Sequence, residues 1–147
     1  MKRVFIQTAD FDVAAELAAL ETLGGGGVAS FTGVVRGDGG LIALELEHYP
    51  AMTQLQVDRI ADEALARWPL LGVSVIHRFG RLAPGARIVF VGTASRHRIA
   101  ALESCAFLID WMKSDAPFWK KEHFGDGVTQ WVEARAEDEA KAQSWKS

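Results

Sequence analysis

Two groups of cations stand where chemistry could use them. Ser95-Arg96-His97-Arg98 opens a stretch with helical spacing, and Ser95 is of a type that caps a helix start. The amino end of a helix carries partial positive charge, so two arginines and a histidine there are locally unfavourable and call for something negative beside them. Exposed backbone N–H groups, the helix dipole and forked guanidinium donors together make a phosphate site. The plainer alternative is that these side chains splay into water or pair with acidic residues elsewhere. At the far end of the same stretch, Lys113 follows Ile109 by four residues, which puts it on or beside the apolar stripe. With Lys120 and Lys121 beyond Pro117, it makes a basic cluster flanked by Trp111, Phe118 and Trp119. Desolvation and neighbouring cations both disfavour an ammonium, which would fit one of these lysines for proton transfer or nucleophilic attack at neutral pH. Alternatively the stems pack and the amines reach water.

Arg36 ends a β-rich run beside Gly37-Asp38-Gly39-Gly40, a turn from which a long basic side chain can reach a ligand. Other chemistries find no pattern. His48, His77, His97 and His123 show no HExxH or other metal spacing, so neither metal nor cofactor is expected. Cys105 falls on a core stripe, and no GxSxG elbow occurs. Gly24-Gly25-Gly26-Gly27 lacks the following Lys-Ser/Thr of a phosphate loop and reads as a flexible connector.

These cations must be positioned by helices and strands that alternate along the chain. Phe11 to Leu23 is predicted helical, with Asp10 and Asp12 as caps and Val13, Leu17 and Leu20 on one face. Val28 to Arg36 and Leu41 to Tyr49 read as two strands of a hairpin, the second with Ile42, Leu44, Leu46 and His48 on its buried face. Met52 to Trp68 carries Val57, Ile60, Ala61, Ala64, Leu65 and Trp68 at three-four spacing and stops at Pro69. Strands follow at Val73 to His77 and Arg87 to Gly92, parted by a Pro84-Gly85 turn. A third helix is expected from about His97 to Ser114, burying Ile99, Leu102, Cys105, Ala106, Ile109 and Met112 and ended by Pro117. Trp119 to His123 and Thr129 to Glu133 form a last hairpin, and Ala136 to Trp145 a short charged helix.

With 147 residues, the chain is expected to form one domain with a core that needs no disulfide. No apolar run reaches the length of a membrane span, and the first residues meet Asp10 too soon for a secretory signal. A single cysteine fits a reducing cytoplasm. A net charge of -3 with only local basic groups argues against nucleic acid as partner. On these grounds the chain is an α/β or α+β unit with an anion site.

Several segments together resemble the large, catalytic subunit of molybdopterin synthase. They are Phe31-Thr32-Gly33-Val34-Val35-Arg36, Leu46-Glu47-His48-Tyr49-Pro50-Ala51-Met52, Arg67-Trp68-Pro69, Val75-Ile76-His77-Arg78-Phe79-Gly80 and Ile88-Val89-Phe90-Val91-Gly92. The series continues through Ser95-Arg96-His97-Arg98, Lys113-Ser114-Asp115-Ala116-Pro117-Phe118-Trp119-Lys120-Lys121-Glu122 and Trp131-Val132-Glu133-Ala134-Arg135. The resemblance runs from about Val28 to Trp145. It implies an α/β-hammerhead-like domain over residues 1–147 with an added antiparallel, β-rich subdomain. It also implies a sulfurtransferase that takes sulfur from the thiocarboxylated carboxy-terminal glycine of a small ubiquitin-like partner. The acceptor is cyclic pyranopterin monophosphate, and the product is the dithiolene of molybdopterin in molybdenum cofactor biosynthesis.

Residue by residue, the resemblance puts Arg36, His97 and Arg98 at the pterin and phosphate site and Lys113 and Lys120 at the centre of sulfur transfer. Lys121 and Glu122 complete the binding stretch. A homodimer core within a heterotetramer is implied, with no nucleic acid and no membrane. Two departures stand out. The turn after Arg36 is shorter than in many members, and Lys121 replaces a frequent arginine, keeping charge while losing the bidentate fork. A non-catalytic module that holds a phosphorylated ligand or a ubiquitin-like tail is the competing expectation.

Overall fold

The computed structural model describes residues 1–132 and 136–146. The strand of the last hairpin was expected to reach Glu133, which lies outside the described residues. The first sheet takes β1 (Lys2–Gln7), β2 (Gly27–Val34), β4 (Leu70–Arg78) and β6 (Arg87–Ser95) in the order β1-β4-β6-β2, with β1 parallel to β4 and the other pairs antiparallel. Side chains alternate across a strand. Val73, Val75, Val89 and Val91 therefore meet α2 (Pro50–Arg67) and α3 (Arg98–Ser114) on one face, while Ile76 and Phe90 meet α1 (Val13–Glu21) on the other. Burial on both faces explains why these strands read as continuous apolar runs.

The second sheet is antiparallel throughout, ordered β5-β3-β7-β8, from β3 (Leu41–His48), β5 (Gly80–Leu82), β7 (Phe118–Phe124) and β8 (Thr129–Val132). Val35, Leu41, Leu46 and Leu82 make its small core. The architecture is thus α+β, with a helix-covered mixed sheet and a separate antiparallel one.

The expected hairpin of Val28–Arg36 with Leu41–Tyr49 does not form. β2 pairs with β6 in the first sheet and β3 with β5 and β7 in the second, because the 3-10 turn at Asp38–Gly40 carries the chain from one sheet to the other. Gly39 and Gly40 take φ of 64° and 81° there, a region costly to residues with a Cβ. A register shift between Leu41 and Ala43 turns Ile42 outward, against the expected alternation, and leaves it half exposed.

The helices follow the sequence more closely. Asp12 caps α1, its carboxylate accepting from the Ala15 N–H at 3.2 Å. In α2, Thr53, Val57, Ile60, Ala61 and Ala64 are buried, each apolar Val or Ile contributing about 1.5–3 kcal/mol. The stripe on α3 is rotated from the expected one: Ala100, Ala101, Ser104, Cys105, Phe107 and Leu108 are buried, whereas Ile99 and Leu102 are 63% and 60% exposed. Small residues at the start of α3 let it approach β2 and β6 closely, so this face, not the more apolar one, turns inward. Finally α4 (Ala136–Gln143) packs on α3, held by Trp145, whose indole N–H donates to Asp110 at 2.6 Å.

Candidate functional site

The two sheets meet at an aromatic contact. His77, near the end of β4, lies flat on Phe118, the first residue of β7, with 3.8 Å between ring centroids and 14° between planes. His48 at the end of β3 joins them, 5.8 Å from Phe118 and 4.3 Å from Phe79. Period two along β7 then sends Lys120 to the same side as Phe118. The carboxy-terminal turn of α3 brings Lys113 to that side, and the segment after β2 brings Arg36. All three cations line one cavity of about 250 Å³, with His77 in its wall and Asp138 of α4 across from Lys120.

The electrostatics of the cavity are uneven. Burial pushes the Lys120 ammonium below the ordinary lysine value, with the Lys113 charge adding to the effect and Asp138 opposing it. Lys120, not Lys113, is the partly desolvated lysine that the basic cluster was expected to contain; Lys113 is exposed. His77 is buried, and its Nδ1 lies 2.8 Å from the Arg78 carbonyl. Burial, with Lys120 and Lys113 nearby, pushes its pKa down to about 3. The imidazole is neutral at physiological pH. In the sequence His77 stands at the end of an expected strand and within a segment of family resemblance, without metal-ligand spacing; its place in the cavity wall comes from the fold. Arg36 stands past the end of β2 rather than in it, 76% exposed, with Asp38 3.7 Å away.

Other expected site residues lie elsewhere. Glu122 shares the Lys120 face of β7, two residues further along. Lys121 faces the opposite side, where it pairs across the ladder with Trp131 and sits 5.3 Å from that indole ring. His97 and Arg98 are at the amino end of α3, a helix of 17 residues, so about 25 Å from the Lys113 end. No side chain caps that end, since Ser95 belongs to β6 and donates to the Pro69 carbonyl.

The glycine run does not behave as a loose connector. A Cβ on Gly25 would fall 2.3 Å from the Ser95 carbonyl oxygen, and the Gly26 N–H donates to the Arg96 carbonyl at 3.2 Å. These glycines pack directly against the turn that presents Arg96, His97 and Arg98. A larger cavity of about 750 Å³ opens between α2, α3 and α4, but Arg67 there is paired with Glu63 and the Trp145 carbonyl, and Lys146 with Asp115.

Known proteins resemble this chain in sequence and in fold. The MoaE protein family matches residues 6–115. A relative from Mesorhizobium japonicum, a molybdopterin synthase catalytic subunit, is 56% identical, the match covering 98% of this chain and 93% of the relative. The solved molybdopterin biosynthesis MoaE protein of Burkholderia ambifaria superposes with a TM-score of 0.84 at 46% identity, covering 100% of this chain and 99% of that one. The crystal structure of molybdopterin synthase from Staphylococcus aureus gives a TM-score of 0.78 at 29% identity, over 90% of this chain and 98% of that one. With its residues, its two-sheet fold and its relatives in agreement, the chain belongs to the MoaE family of molybdopterin synthase catalytic subunits.

Proposed function

We propose that this chain catalyses sulfur transfer from the thiocarboxylated tail of a small ubiquitin-like subunit to cyclic pyranopterin monophosphate. The observation that carries the reading is the convergence of Arg36, Lys113 and Lys120 on one cavity, with Asp138 the one carboxylate among its described lining residues. Thiocarboxylate and phosphate are both anions, and a cavity with excess positive charge attracts and orients them.

The two lysines divide the work. Lys113, the more accessible, meets the incoming sulfur. Lys120 has its ammonium already disfavoured by burial, so it gives up a proton more readily than an ordinary lysine, and while charged it stabilises negative charge that develops on the substrate. Sulfur leaves the acyl carbon of the tail, water supplies the oxygen that replaces it, and at the pterin carbon the new C–S bond takes the place of a C–O bond, whose oxygen departs protonated as water or with the phosphate group. A module that only bound anions would be served as well by solvated cations, so a desolvated lysine favours the enzyme over that alternative.

His97 and Arg98 cannot reach this cavity from their own chain. We infer that they serve the cavity of a second copy, in a dimer to whose ends the small subunits attach. Ile99 and Leu102, exposed beside them, give that end of α3 the apolar character of an interface. Purified chain mixed with thiocarboxylated small subunit and cyclic pyranopterin monophosphate should form molybdopterin. Binding of the small subunit without product would instead support the anion-binding module.

A further inference from the structure

His77 of β4 lines the cavity between the two sheets. His77 Nδ1 faces a backbone carbonyl, which can only accept, so the ring proton sits on Nδ1. Its ring is neutral and clamped against Phe118. That leaves Nε2 as a bare acceptor. Among the described residues no donor reaches it, and no buried side-chain nitrogen or oxygen there lacks a partner, so Nε2 is open to the cavity it lines. Among the described lining residues the charged groups are the donors Arg36, Lys113 and Lys120 and the carboxylate of Asp138.

A neutral acceptor beside clustered cations is complementary to a ligand that carries an N–H donor next to an anion. A peptide carboxy-terminus has that pattern, because the last amide N–H is separated from the terminal carboxylate or thiocarboxylate by a single carbon. The pterin substrate also carries N–H groups. However, a cavity of about 250 Å³ is below the usual range of small-molecule sites and suits a narrow glycine tail better. Building on the proposed sulfur transfer, we infer that His77 is a positioning residue for the partner, its Nε2 accepting a hydrogen bond from the terminal glycine N–H and so aligning the thiocarboxylate with Lys113 and Lys120.

The test is a double-mutant cycle between the two proteins, using the small subunit with an ordinary carboxylate as an unreactive probe. His77→Phe keeps the flat contact with Phe118 and removes the acceptor. Replacing the terminal glycine by N-methylglycine removes the donor and leaves this chain untouched. Each change alone should weaken binding about tenfold. Both together should weaken it no more than one, and His77→Gln, which restores an acceptor, should recover most of the affinity. Losses that multiply would overturn the inference, as would an unchanged affinity with a raised KM for cyclic pyranopterin monophosphate, which would assign Nε2 to the pterin. If the unmodified chain makes molybdopterin while the cycle shows no coupling, the inference fails and the sulfur-transfer reading stands. If the unmodified chain does not bind the small subunit, both fall.

Discussion

His77 on β4 and Phe118 on β7 stack face to face at 3.8 Å, and this contact joins the helix-covered sheet to the antiparallel one at the wall of the cationic cavity. Shape and chemistry are therefore coupled at one point. Phe118→Ala should cost about 2–3 kcal/mol in urea unfolding, less than a fully buried phenylalanine because the ring is half buried. Product formation should fall further than the lost stability explains, since Lys120 follows on the same strand. Full activity in the variant would show that the stack does not position the site.

Acid should expose the buried imidazole. The native His77 pKa of about 3 lies below the ordinary 6.5, so the unfolded chain binds the proton more readily in between. The stability this contributes is present above pH 6.5 and is lost as pH falls toward 3. Between pH 7.5 and 4.5, the unmodified chain should lose about 2–3 kcal/mol more than His77→Phe in matched urea titrations. Parallel pH profiles would mean that the imidazole is not held neutral.

Lys120 has the same sign. Its ammonium is disfavoured in the fold, so stability rises with pH as the amine approaches the neutral form, up to the ordinary value of 10.5. Lys120→Met should be more stable than the unmodified chain at neutral pH and lose that advantage at high pH, while forming almost no product. Lys120→Arg retains the charge but cannot exchange the proton, so kcat should fall at least about tenfold with KM little changed. Normal turnover in Lys120→Arg would remove proton transfer from its role.

If cavities are completed between copies, two inactive variants should rescue each other. Lys120→Ala and Arg98→Ala, each dimeric and inactive, should regain about a quarter of normal activity after subunit exchange, because about half of the dimers are then mixed and each mixed dimer has one intact site of two. A mixture that stays inactive would confine each site to a single chain.

Gly25 offers a test away from the cavity. Alanine there would drive a Cβ into the Ser95 carbonyl and should cost about 2–3 kcal/mol, whereas Gly24→Ala meets open space and should cost only about 1 kcal/mol for its φ of +84°. Equal costs measured by thermal unfolding would show that the tight packing beneath Arg96 is not maintained.

Local spacing decides some elements of this fold and not others. The α2 stripe and the Pro84-Gly85 turn follow from spacing and proline or glycine chemistry, which are local. Strand pairing is not local. Val28–Val34 and Leu41–His48 look like hairpin partners because only a short turn separates them, and nothing between them announces that the chain changes sheets. Charge at the start of α3 was readable as an anomaly, but its distance from Lys113 follows only from helix length. Lys120 and Lys121 are adjacent in sequence and point to opposite sides of one strand, so only the register with Leu46 and Trp131 tells them apart. His77 gave no signal, since a histidine within an apolar strand resembles any other buried polar residue until its neighbours are known.

Sulfur transfer through Lys113 and Lys120 is best measured by quantifying molybdopterin formed from cyclic pyranopterin monophosphate and thiocarboxylated small subunit, with the unmodified chain, Lys113→Ala and Lys120→Ala side by side. Product is expected from the unmodified chain and a loss of at least about a hundredfold in each variant, with small-subunit binding retained. Near-normal turnover in either variant, or no product from the unmodified chain despite partner binding, would contradict it.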